Sequence, residues 1–237
     1  MKRNTLTAVL LAVLMLTVAF TSFTAEVSAQ AWSEIQSVFY RNDGKAFIFS
    51  GDSYIRYDIK SMKRDEGYPK KVVDSFQGLN FIEGIDAVFN RDNGKAYFFK
   101  GDEYIRYDIK TMKRDAGYPK KIIDAFQGLT FIDGIDAVWR RDDDKAFFFK
   151  GDSYIRYDLK SMKRDEGYPK KIIDGFQGLT FIDGVDAVFN RGDGKVFFFK
   201  GDQYIRYDVK SMKRDEGYPK KIMDGFQGIL IQPKAAE

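Results

Sequence analysis

Short blocks of apolar residues recur along this chain with a period of 50 residues. One copy of the unit runs from Glu83 to Ile132. Its residues return at fixed spacing in the pairs Asp136 and Asp186, Tyr154 and Tyr204, and Pro169 and Pro219. A fixed period of this length is typical of solenoids, arrays and propellers, so the repeat governs every later step.

The pattern of apolar and polar positions inside one unit predicts three strands and a short helical turn. The first strand is the inner one, and tight turns rich in Asp, Asn and Gly separate the three. A fourth strand is predicted to be weak and short, somewhere between Lys110 and Lys120. A helix-like turn follows the loop 117–119. The three clear strands are 85–89, 95–100 and 104–108, with turns at 92–94 and 101–102.

The repeats favour a closed ring over a solenoid. A solenoid needs altered terminal copies, because its end faces would otherwise be exposed. The last copy keeps its 201–202, 204–208 and 217–219 motifs, so it does not resemble a cap. Aromatic residues in Ala96-Tyr97-Phe98-Phe99 fall on both faces of the strand, as expected for a sheet covered on both sides by neighbouring blades. We predict an all-β four-bladed β-propeller over residues 32–232, with blades at about 33–82, 83–132, 133–182 and 183–232.

Composition limits the available chemistry. The 237 residues include no Cys and no His, which excludes disulfides, thiolate nucleophiles, Cys/His zinc sites and His-ligated haem. The formal net charge of +4 is far below that of a dedicated nucleic-acid binder. The chain has no Gly-x-Ser-x-Gly motif, and its inner positions are nearly symmetric, so we do not expect an enzyme.

Residues 1–31 have the pattern of a secretory signal peptide. A charged start at Lys2-Arg3 precedes the apolar stretch Leu6 to Phe20, which is shorter than the roughly 20 residues of a membrane span. Small residues allow cleavage after Ala29 or Ala31. We expect a secreted protein, periplasmic in a Gram-negative host, with no membrane span after signal removal and a short tail at 233–237. An uncleaved anchor is the alternative.

Three motifs of the unit resemble the hemopexin repeat. They are the Ile-Asp-Ala-Val-Phe strand (85–89), the Lys-Gly-Asp-x-Tyr-Ile-Arg-Tyr-Asp hairpin (100–108) and the Gly-Tyr-Pro-Lys-Lys loop (117–121), and they recur in order. The chain is most similar to single-domain bacterial members of the photopexin kind. The resemblance implies a four-bladed ring with a short outer helix per blade, ions in the axial channel and a binding role. Members that close the ring with a disulfide differ from this chain, so we expect closure by packing, with the apolar segment 229–231 against blade 1.

The axial channel is the first candidate site. The ladder edge of each inner strand faces the axis without a partner, so its carbonyl groups can hold Ca²⁺ or Na⁺ and its N–H groups can hold Cl⁻. The alternative is a structural role, in which each Asp caps a neighbouring turn. The predicted cation ligands are the backbone carbonyls of Gln36, Asp86, Asp136 and Asp186, and the predicted channel-lining residues are Ser37, Ala87, Ala137 and Ala187.

Two surface features have open interpretations. In the hairpin, Arg106 can pair with Asp108 between blades and Tyr104 can stack on Tyr107, or the tyrosines can ligate haem or bind a planar anion. Packing is favoured because the motif occurs four times. The basic loops supply twenty basic side chains, which form either a solvated rim or a site for anionic glycans or a cell surface. We expect a binding protein whose partner on a ring face is a small molecule such as haem or a polyamine, a glycan or a protein, not nucleic acid. A purely structural or adhesion protein is the alternative.

Overall fold

The structure is a computed structural model that describes residues 31–81 and 83–232. The predicted signal peptide up to residue 30 and the tail at 233–237 lie outside the described residues. Within the described part, four five-stranded antiparallel sheets form the four predicted blades, each with one short helix. Blade 1 contains Ser37–Tyr40 (β1), Lys45–Ser50 (β2), Ser53–Asp58 (β3), Lys63–Arg64 (β4), Lys70–Lys71 (β5) and Val72–Ser75 (α1).

The other three blades repeat this order. Blade 2 contains Ala87–Asn90 (β6), Lys95–Lys100 (β7), Glu103–Asp108 (β8), Lys113–Arg114 (β9), Lys120–Lys121 (β10) and Ile122–Ala125 (α2). Blade 3 contains Ala137–Arg140 (β11), Lys145–Lys150 (β12), Ser153–Asp158 (β13), Lys163–Arg164 (β14), Lys170–Lys171 (β15) and Ile172–Gly175 (α3). Blade 4 contains Ala187–Asn190 (β16), Lys195–Lys200 (β17), Gln203–Asp208 (β18), Lys213–Arg214 (β19), Lys220–Lys221 (β20) and Ile222–Gly225 (α4).

The outer edge of each blade differs from the prediction. The expected single fourth strand is two short strands, which pair with opposite ends of the third strand. In blade 2, β9 pairs with residues 107 and 108, whereas β10 pairs with residues 103 and 104. The break comes after Asp115, whose N–H still bonds the Arg106 carbonyl at 3.0 Å and whose side chain accepts from Arg106 and Lys95. The inner strand also begins at Ala87 instead of residue 85.

The core lies between blades, because each sheet buries both of its faces. Phe39 of blade 1 packs on Phe98 of blade 2 with ring centroids 5.7 Å apart, and Trp139 of blade 3 packs on Phe198 of blade 4 at 6.3 Å. Phe98 and Phe198 are fully buried. Burying one such ring stabilises the fold by about 1.5–3 kcal/mol, so these aromatic layers are a major part of what holds the blades together.

The ring closes without a disulfide by pairing the two ends of the described chain. Trp32 forms a parallel bridge with Ile231: its N–H donates to the Leu230 carbonyl at 2.9 Å, and Gln232 N–H donates to the Trp32 carbonyl at 2.8 Å. The expectation that the apolar tail lies against blade 1 is therefore confirmed. The longest described helices have four residues, and none of the described helices is long and apolar enough to cross a membrane.

The four inner strands β1, β6, β11 and β16 surround the axis and give the ring two distinct ends. One end, which we call the narrow end, is lined by residues 36–38, 86–88, 137–138 and 187–188. The hairpin turn between β2 and β3 lies beside it, since Gly51 N–H bonds Gln36. Residues 38–42 and their equivalents line the other end, the wide end, where the first turn of each blade is located.

Candidate binding site in the axial channel

The narrow end brings together most of the predicted channel residues. Its wall contains valines at 38, 88, 138 and 188 together with Gln36, Ser37, Asp86, Ala87, Ala137 and Ala187. Asp136 and Asp186 occupy the equivalent sequence positions but are not part of this wall. Ser37 is 2 % exposed and donates its hydroxyl to the Ile85 carbonyl at 3.0 Å. The one hydroxyl among these four small residues therefore ties blade 1 to blade 2.

The inner aspartate side chains cap neighbouring turns, as the structural alternative predicted. Asp86 accepts from Gly101 N–H at 2.8 Å and from Lys100 Nζ at 2.7 Å. Asp136 and Asp186 accept from Gly151 and Gly201 N–H at 2.7 Å, and Lys150 and Lys200 lie 3.4 and 3.5 Å from their carboxylates. Donors of the protein itself thus already occupy these carboxylates.

Gln36 makes the same turn bond with an amide oxygen, 2.8 Å from Gly51 N. Ser50 occupies the position that holds the lysine in the other blades. The narrow end therefore contains three neutralised Asp–Lys pairs and one neutral pair, so it has little net charge to attract a cation.

The side chains at the narrow end leave main-chain oxygen as the ligand type for a cation. Residues 31–81 and 83–232 contain no cluster of three or more Asp, Glu, His or Cys side chains that could hold a metal ion. The amide N–H groups of Gln36 and Asp86 already bond Phe49 and Phe99 within their own blades. Coordination by the carbonyls of Gln36, Asp86, Asp136 and Asp186 stays a prediction.

The wide end opens into a cavity of about 360 Å³ in which the four copies differ most. The last residues of the four inner strands are Tyr40, Asn90, Arg140 and Asn190, and the residues two further on are Asn42, Asp92, Asp142 and Gly192. All of them line the cavity. We call this cavity the mouth.

Two asparagines on opposite blades of the mouth each donate a hydrogen bond to the blade before them. Asn90 Nδ2 donates to the Tyr40 carbonyl at 3.2 Å, and Asn190 Nδ2 donates to the Arg140 carbonyl at 3.0 Å. Each asparagine thus fixes the preceding blade. The residues they fix, one aromatic and one cationic, make opposite sides of the mouth chemically different.

Blade 3 carries the largest departures from the repeat. Arg140 crosses to blade 2 and forms an ion pair with Asp92, which also accepts from Asn42 Nδ2 at 2.6 Å. Arg140 Nη2 lies 3.7 Å from Asp144, which has a φ of 59° at a position where the other blades have glycine. A positive φ is costly for most side chains but is tolerated by Asp and Asn. The first turn of blade 3 is therefore remodelled around Arg140.

Trp139 supplies the clearest unused hydrogen-bond donor. It is 1 % exposed, lines the mouth, and its Nε1 has no partner within the described residues. The equivalent residues are Phe39, Phe89 and Phe189, which have no such group. Arg140 Nε is likewise buried without a partner in the described part of the chain. Buried donors normally find a partner, so two unpaired donors in one wall indicate a ligand or ordered water.

The opposite side of the mouth is aromatic and open. Tyr40 packs edge-on against Phe189 with centroids 6.0 Å apart. Gly192 lies beside it, and a Cβ there would come to 3.6 Å from Tyr40 Cε1. Across the mouth, Asp142 is exposed and has no ion-pair partner in residues 31–81 or 83–232. The ring of Tyr40 on blade 1 and the unpaired carboxylate of Asp142 on blade 3 therefore line the same cavity.

The sequence prediction missed the mouth, although the repeat itself contained the signal. Where three copies share a residue they show what the fold requires, as with phenylalanine at the position of Trp139 and glycine at that of Asp144. Trp139, Arg140 and Asp144 are residues that no other copy has, and they fall within six residues of one blade. Comparing the four copies position by position would have identified this segment.

The hairpin tyrosines and arginines serve the core. Arg106 pairs with Asp115 at 2.6 Å in its own blade, and Asp108 pairs with Lys95 at 2.9 Å, so the suggested pairing of Arg106 with Asp108 between blades is wrong. Tyr104 packs on Tyr118, not on Tyr107. Burial raises the pKa of Tyr107, which keeps its phenol protonated and unsuited to ligate haem iron.

The fold and the channel define a class, the closed four-bladed β-propeller with an axial cavity. The hemopexin family model matches residues 35–80, 85–130, 135–180 and 185–229, and the chain belongs to the hemopexin family. No curated protein sequence matches the chain.

Solved plant structures with the hemopexin fold are similar over most of both chains. LS24, a seed albumin from Lathyrus sativus, is 28 % identical with a TM-score of 0.72, covering 84 % of this chain and 97 % of its own. A Cicer arietinum lectin with two metal binding sites is 29 % identical (TM-score 0.71, 81 % and 95 % covered). A Cicer arietinum albumin showing hemagglutination is 27 % identical (TM-score 0.71, 82 % and 96 % covered). The expected likeness to bacterial photopexin-type proteins stays an expectation.

Proposed function

We propose that this chain is a secreted binding protein, not an enzyme, that takes a small polar ligand at the mouth and an ion at the narrow end. The observation that carries the proposal is the unpartnered, buried Nε1 of Trp139 in the mouth wall. Restoring phenylalanine there would remove this donor without disturbing the repeat. A residue that the fold does not require, with an unused buried donor in the wall of a cavity, is best explained by something it binds.

The chemistry of the mouth favours a ligand that both donates and accepts hydrogen bonds. Trp139 offers an N–H, Asp142 offers a free carboxylate, and Tyr40 offers a flat apolar face. A cavity of about 360 Å³ lies at the small end of the range for ligand pockets, roughly 300–1,000 Å³. A sugar unit meets these conditions, because its hydroxyls donate and accept while its ring packs on an aromatic face. The lectin and the hemagglutinating albumin among the similar structures support this choice.

Ion binding at the narrow end is supported by the type of ligand atom that remains available there and by a relative. The inner aspartate carboxylates are occupied by lysine and glycine donors, which leaves main-chain oxygen as the ligand type. Such oxygens suit Ca²⁺ or Na⁺. The Cicer arietinum lectin is described as having two metal binding sites.

Tryptophan fluorescence can test the mouth, because the chain contains only two tryptophans. In the variant Trp32→Phe, emission comes from Trp139 alone and should change when a mouth ligand binds. In Trp139→Phe, emission comes from Trp32 at the ring closure and should not change. Both indole nitrogens lack a partner among the described residues, so the two variants are matched.

The ligand itself should first be sought by native mass spectrometry of protein purified from its own host, then confirmed in a panel of mono- and oligosaccharides. We expect Trp139→Phe and Asp142→Asn each to weaken binding about tenfold, which corresponds to one lost buried hydrogen bond. A retained ligand that binds both variants as tightly as the natural protein would show that the mouth is not its site.

A further inference from the structure

The twenty basic side chains of the basic loops fall into two groups in the structure. Twelve are engaged: four arginines pack against a glycine of the preceding blade, as Arg114 does against Gly78, four lysines stack on tyrosine, as Lys120 does on Tyr118, and four pair with aspartate, as Lys121 does with Asp102. The other eight are exposed and have no ion-pair partner within residues 31–81 and 83–232. They are Lys60, Lys63, Lys110, Lys113, Lys160, Lys163, Lys210 and Lys213.

These eight lysines, which we call the lysine ring, share one end of the propeller. In blade 2, Ile109 N–H donates to the Gly94 carbonyl in the turn at the mouth, which places Lys110 beside that turn. Lys113 pairs in register with Asp108, whose partner on the other side is Lys95 at the same turn. The same contacts recur in each blade, so the lysine ring surrounds the mouth.

The acidic groups at this end do not neutralise the lysine ring. Asp108 and Asp115 are held by Lys95 and Arg106, and three of the turn aspartates are held by their own arginines, as Asp193 is by Arg191. Asp142 in the mouth and Glu66, Glu166 and Glu216 at the outer edge of three blades are exposed without an ion-pair partner in the described chain, so eight such lysines stand against four such acids. A field of one sign around a cavity attracts and concentrates ligands of the opposite sign.

The exposed apolar side chains lie away from this end. Val73, Ile123, Ile173 and Met223 are 54–63 % exposed and belong to the short helices. Ile132 and Ile182, 44 and 46 % exposed, come just before Gly134 and Gly184, which lie beside the hairpin turns at the narrow end, and Leu230, 42 % exposed, belongs to the ring closure. Each helix begins where its first N–H bonds the hairpin next to the narrow end, as Ile122 N–H does with the Asp102 carbonyl. The wide end therefore offers charge without the apolar anchors that insertion into a lipid surface uses. Most of its exposed cations are lysine, and the exposed Arg114 is held against Gly78 and Asn80 of blade 1. Phosphate backbones, in contrast, are typically bound with arginine and stacked aromatic rings.

We propose that the wide end of the propeller docks an acidic polysaccharide, with the lysine ring contacting its carboxylate or sulfate groups. This binding goes beyond the proposed function, because it needs neither the mouth donors nor an ion in the channel. It would bring the mouth to a charged glycan surface.

The test measures retention of the full-length mature protein on immobilised dextran sulfate against salt concentration, with neutral dextran as reference. The test variant replaces Lys60, Lys110, Lys160 and Lys210 by glutamine. The control variant replaces Lys70, Lys120, Lys170 and Lys220, which changes the net charge equally but lies at the opposite end of the third strand. Trp139→Phe is a third variant, and circular dichroism confirms the fold of each.

We expect the test variant to bind dextran sulfate at least about tenfold more weakly with a shallower salt dependence, since fewer counterions are released. The control should stay within about twofold, and Trp139→Phe, which removes only a mouth donor, should lose less than the test variant. Equal losses in the two quadruple variants would overturn the lysine ring as the site. Binding to neutral dextran, to duplex DNA or to anionic vesicles as tight as to dextran sulfate would overturn an acidic polysaccharide as the partner.

Discussion

Gln36 and Ser50 occupy, in blade 1, the two positions that hold an aspartate–lysine pair in every other blade. Gln36 keeps the bond to Gly51 N–H at 2.8 Å, so the turn is preserved while both charges are absent. The two changes compensate each other: either alone would leave an unpaired charge next to the channel.

This compensation predicts how charge at the narrow end controls cation affinity. Gln36→Asp adds a carboxylate with no lysine beside it, so Ca²⁺ should bind about three- to tenfold more tightly. Adding Ser50→Lys should return the affinity toward its original value, whereas Asp136→Asn should weaken it by leaving Lys150 unpaired. Calorimetry on metal-stripped protein measures all three. A melting temperature indifferent to millimolar Ca²⁺ in every variant would show that the channel holds no cation.

Ring closure predicts a large effect from Trp32. Its side chain is 4 % exposed and its backbone joins both ends of the described chain, so Trp32→Ala should lower the free energy of unfolding by about 3–5 kcal/mol. Leu230→Ser is the control, since Leu230 is 42 % exposed and should cost less than about 1 kcal/mol. Chemical denaturation measures both.

A related experiment tests the ring itself. Deleting the unit 83–132 leaves blades that cannot close, so cooperative melting should disappear. A monomeric three-unit protein with one sharp transition would contradict the requirement for four blades.

The titrating groups predict stability losses at both pH extremes. The Thr111 backbone N–H, followed by Lys95, holds the pKa of Asp108 well below its usual range. Because the pKa in the folded state is lower than the unfolded-state pKa of about 4, ionised Asp108 stabilises the fold above pH about 4. This stabilisation is lost as the pH falls through the folded-state pKa. Burial raises the pKa of Tyr207 to about 12. The protonated phenol therefore stabilises the fold below pH about 10, and this stabilisation is lost as the pH rises from there through the folded-state pKa.

Melting temperature measured from pH 2 to 12 should therefore be nearly flat between about 4 and 10 and fall on either side. Lys95→Met should shrink the fall in melting temperature below pH about 4, because the folded pKa of Asp108 then lies closer to its unfolded value, whereas Lys110→Met, at an exposed lysine of the same blade, should leave that fall unchanged. An acid decline unchanged by Lys95→Met would show that another group controls it.

The leader predicts the start of the mature protein. Cleavage after Ala29 or Ala31 gives a chain beginning at Gln30 or Trp32. N-terminal sequencing of protein from the culture medium or periplasm checks this, and finding Met1 there would contradict it.

The repeat made the fold accessible from sequence, because four copies of one pattern determine blade number and closure together. The outer edge was less accessible. The side chain of Asp115 accepts from Arg106 and Lys95, which are 9 and 20 residues away in sequence, so this pairing gives no local periodicity. Fourfold repetition correctly assigned the hairpin tyrosines to packing.

The site was only partly accessible. The narrow end follows from the Ile-Asp-Ala motif, but Lys100, which neutralises Asp86, sits on the next strand and enters only through the register. At the mouth, Arg140 pairs with Asp92 of another blade, a contact that depends on ring geometry. Local propensity does not include such geometry, whereas comparison among the four copies would have shown that Arg140 replaces a tyrosine or an asparagine.

The seam between blades 4 and 1 uses the same contacts as the other three: Arg64 N–H bonds the Gln227 carbonyl, as Arg114 N–H bonds Gln77, and Arg64 packs on Gly228 as Arg114 does on Gly78. An unclosed chain therefore presents edges that fit another copy as well as its own. Closure within one chain depends on the effective concentration of its own two ends, which the connecting chain sets. Joining to a neighbour depends on the protein concentration, so the ratio of the two decides the outcome. Refolding should give monomers at low protein concentration and head-to-tail chains of propellers at high concentration. Once the Trp32–Ile231 bridge has formed, within one chain or between two, it should slow the exchange between these products.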